Sequence, residues 1–435
     1  MDESFLHFIW QLQYFNKEGL LTTQGEKLSI FRPGHLNTNA GPDFQQAKLC
    51  INEVEWHGDV EIHIQSSDWN KHKHQVDATY NKVILHVVWE DDQSIFRPDG
   101  TPIPTLELKK RVAPTLLKRY HVFLGNKTQY IAIPCAKLIH QVPELTRLSM
   151  IERALMQRLE KKAVFVHQLL ERNQGHWEET AYQLVCKNFG FKLNSEAFLA
   201  LSKAVPKKYI DKHKDQLHSI EALLFGQAGF LDELPEINDH YWQSLKKEYT
   251  FLNRKYSLND KKLALHQWKF MRLRPANFPT LRIAQLSHLL FSQNHLFSLL
   301  TEATSYQELY NALKIRQSAY WQNHYKFGVP VVEQSTEKKR TLGKTSIENI
   351  IVNTAIPLLV AYAKAKDEEM YLDKAIALLQ QIPPESNTIT RMWETLGMGI
   401  QTAFDTQSLI ELYNSFCIHK KCLSCSIGVA IIKGE

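Results

Sequence analysis

The chain of 435 residues lacks most of the signatures that assign a protein quickly. It has no glycine-rich phosphate loop, no dinucleotide fingerprint and no nucleophile elbow, which argues against ATPases, nicotinamide enzymes and α/β-hydrolases. No stretch approaches the roughly 18 uninterrupted apolar residues of a membrane span. The best candidate, Ile350 to Ala363, is interrupted by Asn353, Thr354 and Pro357 and reads as a buried helix. The opening MDESFLHFIW carries Asp2 and Glu3 where a secretory leader carries Lys or Arg, so a cytoplasmic protein without membrane contact is expected. Six cysteines in a chain this long do not make a disulfide scaffold. There is no clean internal repeat and no low-complexity tract.

What is present is ordinary globular material, with 44% hydrophobic and 23% charged residues. At about 100–200 residues per domain, two or three domains are expected. The net charge of +6 permits contact with nucleic acid without demanding it, because only a clustered positive face makes such a footprint. The basic clusters at 109–111, 207–208 and 338–340 read as solvated surface.

Along the chain the hydrophobic period changes once. Phe5, Phe8, Ile9, Leu12 and Phe15 predict an opening amphipathic helix. From about Lys27 to Leu108, short β-type runs alternate with turn signals. Lys48–Val54 and Val60–Gln65 read as strands joined through His57–Gly58, Val83–Trp89 as a strand buried on both faces, and Thr105–Leu108 as a fourth. After Val142 the pattern is helical to the end. The fold class expected is α+β: a mixed α/β domain over 1–135, then a large all-α domain over 136–435.

Acidic groups and histidines crowd residues 41–86: G41-P-D-F44, G58-D-V-E-I-H63, D68-W-N-K-H-K-H74 and Y80-N-K-V-I-L-H86. Period two puts Asp59, Glu61 and His63 on one strand face and Val60, Ile62 and Ile64 on the other. Carboxylates at Asp43 and Glu61 suit a hard cation such as Mg²⁺ or Mn²⁺. His72, His74 and His86 beside them open a second chemistry, because imidazoles with a carboxylate suit Zn²⁺, Mn²⁺ or Fe²⁺. Trp56, Trp69 and Tyr80 are interleaved and read as packing or shielding residues.

Pro42–Asp43 followed by Glu61–Ile62–His63 resembles the motif of PD-(D/E)xK nucleases. There an Asp at a strand start and an (Asp/Glu)-x-Lys on the adjacent strand hold the catalytic metal. The resemblance implies a metal-dependent nuclease or phosphodiesterase with Asp43 and Glu61 as ligands and His63, in the place of the lysine, orienting water. A nuclease-like module that binds nucleic acid or protein without turnover is the alternative, and a scaffold stapled by metal is a third reading. Near the C-terminus, Cys417, Cys422 and Cys425 form C-x₄-C-x₂-C, a ligand spacing for zinc, with His419 as a fourth donor, or for an iron–sulfur cluster. Cys422–Cys425 alone also reads as a redox dithiol. Some nucleases of the type named carry an iron–sulfur staple joining such a group to an early cysteine, which implies Cys135 or Cys50 here. Almost end to end, the chain also resembles a bacterial family of unknown function, DUF2851, on the four N-terminal segments quoted, IPC at 133–135, ERALMQRLEKK at 152–162, LRPANFPTLRIAQL at 273–286 and YWQNHYKFG at 320–328.

Overall fold

The computed structural model describes residues 2–37, 39–124, 133–232, 239–330 and 341–434. The basic cluster at 338–340 lies outside them. The fold is α+β, and it divides into two compact units, residues 1–152 with 412–435, and residues 153–411. The last two dozen residues therefore belong with the sheet-bearing N-terminal part.

In the first unit, α1 (Glu3–Leu12) is capped by Asp2, whose side chain accepts from the Phe5 N–H. Phe5, Leu6, Phe8, Ile9 and Trp10 are buried. The sheet is built from β1 (Leu28–Arg32), β2 (His35–Leu36), β3 (Phe44–Ile51), β4 (Val54–Gln65), β5 (Val83–Glu90) and β6 (Thr105–Glu107). Its order is β1-β3-β4-β5-β6, with β2 also on β3. The β1, β3 and β4 pairings are antiparallel, whereas β5 runs parallel to β4 and β6 parallel to β5. A parallel neighbour needs a crossover. Here it is residues 66–82, which contain α2 (Asp68–Lys71) and two 3₁₀ turns. Val60 and Ile62 join the core that buries α1, and Ile64 packs against it, as alternation predicts. β5 is buried over its first six residues.

The β3–β4 connection differs from the sequence reading. The turn is at Asn52–Glu53, with φ of 47° and 71°, and Ile51 faces Val54 across it. Asn52 is held there by donating its backbone N–H to the Lys27 carbonyl and accepting the Lys27 N–H on its side chain, both at 3.0 Å. Strand β4 runs straight through His57–Gly58. Gly58 is small for another reason: a Cβ there would stand 2.5 Å from both Ile84 Cγ2 and the Lys82 carbonyl oxygen, where β5 begins.

In the second unit, helices pack as sequential partners: Trp177–Phe189 on Ser195–Ala204, Leu217–Gln227 on His240–Tyr256, and Ala355–Lys366 on Met370–Gln381. The long α4 (Glu144–Arg172) leads into this unit. The apolar stretch read as one helix is two, Lys344–Asn353 and Ala355–Lys366, parted at Thr354. By length and composition this pair is apolar enough to cross a membrane, and 72% of its apolar window is buried inside the protein. Arg282 is 5% exposed; it donates to Gln285, Asn277 and Ser346 and lies over the Phe191 ring, a structural use. Trp321, from the aromatic knot at 320–328, is fully buried.

Two stability predictions follow from this packing. Gly58→Ala forces the start of β5 off its strand and costs about 1–3 kcal/mol in urea unfolding; an unchanged midpoint contradicts the close approach. Glu221 is 2% exposed and accepts the Tyr241 hydroxyl at 2.6 Å, and burial pushes its carboxyl up to about 7. A raised carboxyl stabilises the fold fully below the unfolded pKa of 4.5 and loses that contribution as pH rises through 7. Wild type should therefore lose on the order of 3 kcal/mol across that window relative to Glu221→Gln. Parallel stability profiles for the two proteins would refute this.

Candidate metal centre

The β3–β4 pairing sets the centre. Phe44 faces Val60, so Asp43, one residue before β3, meets the segment Glu61–Ile62. The two carboxylates are then fixed reciprocally by backbone. The Asp43 N–H donates to Glu61 Oε2 at 3.0 Å, and the Ile62 N–H donates to Asp43 Oδ2 at 3.0 Å. In the parallel pairing of β4 with β5, Glu61 faces His86. The crossover returns α2 and the turn after it over the same face, which delivers His72 and His74. Trp69, 2% exposed, packs its ring 5.5 Å from His86, and Tyr80 stacks on His74 at 3.8 Å. Trp69 and Tyr80 pack against the imidazoles as the sequence suggested, whereas Trp56, read with them, is exposed.

The histidines form a chain. His63 Nδ1 is 2.8 Å from His86 Nε2, and His63 Nε2 is 3.1 Å from His72 Nδ1. Glu61 Oε1 lies 3.7 Å from His63 Nε2 and 3.4 Å from His74 Nε2. Among the described residues, His63, His72 and His74 are the three whose ligand atoms all lie within 4.8 Å of one another. One tautomer frees a lone pair on His63, and in it the His86 proton sits on Nδ1, a buried atom without a protein partner. If His63 donates Nδ1–H to His86 Nε2, its Nε2 lone pair points at Glu61 and His72, the orientation a ligand needs. His86, with no exposure, then holds His63 by the ring nitrogen opposite the one nearest His72.

The electrostatics have one dominant cause. Burial, reinforced by the nearby Asp43 charge, pushes the Glu61 carboxyl up to about 9. Burial, with His74 and His72 adjacent, pushes His63 down to about 3, and it drives His86 well below its ordinary value. His74 is lowered for the same reason. His63, His74 and His86 are therefore held toward the neutral form, the one that binds metal.

The structure thus gathers Asp43, Glu61, His63, His72, His74 and His86 in one place, with His63 in the three-imidazole group. It separates Asp59, which accepts the Gln46 N–H in an exposed position. Sequence reasoning missed His7 and Glu3. His7 Nε2 is 3.1 Å from Asp43 Oδ2, and the Asp43 charge helps raise the Glu3 carboxyl, after burial. Their i,i+4 spacing on the polar side of α1 was the available signal. Cys135, Cys417, Cys422 and Cys425 are all buried and belong to the same unit, whereas Cys50 is in β3 opposite Ser29 and Glu55.

A family model described as "Protein of unknown function (DUF2851)" matches residues 3–388, and the chain belongs to that family. Neither a curated protein nor a solved structure matches it.

If the imidazoles are ligands and His86 orients one of them, calorimetric titration with Mn²⁺ or Zn²⁺ will show saturable binding. His72→Ala with His74→Ala will abolish it, and His86→Phe will weaken it about 10–100-fold. His57→Ala, on the exposed end of the same strand, will leave it unchanged. Equal affinities in all four proteins would exclude a metal here.

Proposed function

We propose that this protein is a metal-dependent phosphodiesterase of the PD-(D/E)xK nuclease type, acting on nucleic acid through the centre between β3, β4, β5 and α2. The observation that carries this reading is the juxtaposition of Asp43 at a strand start with Glu61 on the adjacent strand, beside three imidazoles with ligand atoms within 4.8 Å. The order and strand context of Pro42–Asp43 and Glu61–Ile62–His63 resemble the motif's two elements, with His63 in the place of the lysine. The imidazole-rich donor set favours Mn²⁺, Fe²⁺ or Zn²⁺ over Mg²⁺.

In this reading Glu61, His63, His72 and His74 hold the ion. When bound, such an ion would supply an activated water and charge stabilisation at the phosphate. Asp43 fixes Glu61 through its backbone N–H and presents its own carboxylate next to His7. His63, too weakly basic when buried to take a proton at neutral pH, serves as a ligand and not as the general base. Trp69 and Tyr80 keep water from the back of the site.

A second reading is a nuclease-like binding module without turnover. It is favoured by His63, which cannot supply the permanent charge of the motif's lysine. One experiment separates the two. Wild type incubated with single-stranded DNA, duplex DNA or RNA in Mn²⁺, Zn²⁺ or Mg²⁺ is expected to cleave in the first two metals. Glu61→Ala and Asp43→Ala should each fall by at least about 10²-fold. Salt-sensitive binding with no cleavage in any metal would overturn the catalytic reading in favour of the module.

A further inference from the structure

The chain's other ligand-bearing group is independent of the β-sheet centre. Cys417 ends a single π-helical turn, Tyr413–Cys417, an irregularity often found at functional sites. Cys422 opens the 3₁₀ turn Cys422–Ser424, and Cys425 is the N-cap of the terminal helix Ser426–Lys433. Gly428 lets that helix lie against the Cys422 backbone, since a Cβ there would stand 2.2 Å from the Cys422 carbonyl oxygen. The three cysteines are thus presented by three consecutive short elements folded onto one another.

The fourth comes from far away in sequence. Cys135 begins the turn before the 3₁₀ segment Ile139–Gln141, and its carbonyl accepts the N–H groups of Leu138 and Ile139 at 2.9 Å. That segment packs on the terminal helix. Cys135 is within coulombic reach of Cys425, and Cys417 is within reach of Cys135, Cys422 and Cys425. All four are only 7–8% exposed. Cys50 is engaged in β3, and His419 is exposed, so neither completes the set.

We propose that Cys135, Cys417, Cys422 and Cys425 are the four ligands of an iron–sulfur cluster that ties the C-terminal segment to residues 133–142. Four buried cysteines on short elements that pack on one another, three of them at C-x₄-C-x₂-C spacing, suit such a cluster. C-x₄-C-x₂-C with a distant fourth cysteine is the ligand spacing of plant-type [2Fe–2S] proteins.

The test uses the full chain, purified anaerobically and, in parallel, reconstituted with ferrous iron and sulfide. Iron and acid-labile sulfide are expected in equal amounts, with a broad visible absorption that dithionite bleaches. Cys135→Ser and Cys422→Ser should lose the iron, and Cys50→Ser should keep it. Zinc in place of iron in wild type, or no metal even after reconstitution, overturns the assignment. Retention of iron by Cys135→Ser with its loss in Cys50→Ser overturns the choice of fourth ligand. If the cysteine variants do not fold, the wild-type iron, sulfide and bleaching decide the matter alone.

Discussion

Two backbone-to-carboxylate hydrogen bonds across the β3–β4 hairpin organise the N-terminal site. Asp43 donates its N–H to Glu61, and Ile62 donates its N–H to Asp43. Each bond uses a peptide group that the end of a strand leaves available, and each fixes a carboxylate that is otherwise costly to bury. Because Glu61 is pinned through Oε2, its Oε1 faces His63 and His74. The imidazole cluster then has one carboxyl wall, and a cation in that space would offset the burial that raises the Glu61 carboxyl.

The surrounding fold serves this arrangement. Parallel pairing of β5 with β4 sets His86 beside Glu61 in register, and the obligatory crossover becomes the arm that carries His72, Trp69 and His74 over the same face. A hairpin would have needed no such arm. The aromatic packing of Trp69, Val83, Ile95 and Ile103 forms a small satellite core behind it, with Tyr80 against that core. The site is thus bounded by apolar contacts on the protein side, with His72 at the exposed edge.

Much of this was legible in the sequence where the physics is local. Alternation placed Glu61 and His63 opposite Val60 and Ile62, and the continuous apolar run of Val83–Trp89 marked a strand buried on both faces. Helical periodicity after Val142 marked the helical remainder, though not the short pairing of His324–Lys326 with Val329–Pro330. Less legible was anything set by distant partners. Gly58 reads as a turn residue, yet its size is needed by Ile84 and Lys82, while the real turn uses Asn52 because Lys27 pairs with it. His7 joins the site only because α1 packs against β4. Cys135 and Cys50 are equivalent in sequence; they are separated only by the packing of the turn Ile139–Gln141 on the terminal helix and by the place of Cys50 in β3.

The most direct measurement of the account is anomalous diffraction from crystals of the full chain grown with Mn²⁺, recorded at the manganese edge. The account predicts one strong peak bounded by Glu61 Oε1, His63 Nε2, His74 Nε2 and His72 Nδ1. Crystals with that space lacking any peak, or with manganese only at surface carboxylates, would contradict it.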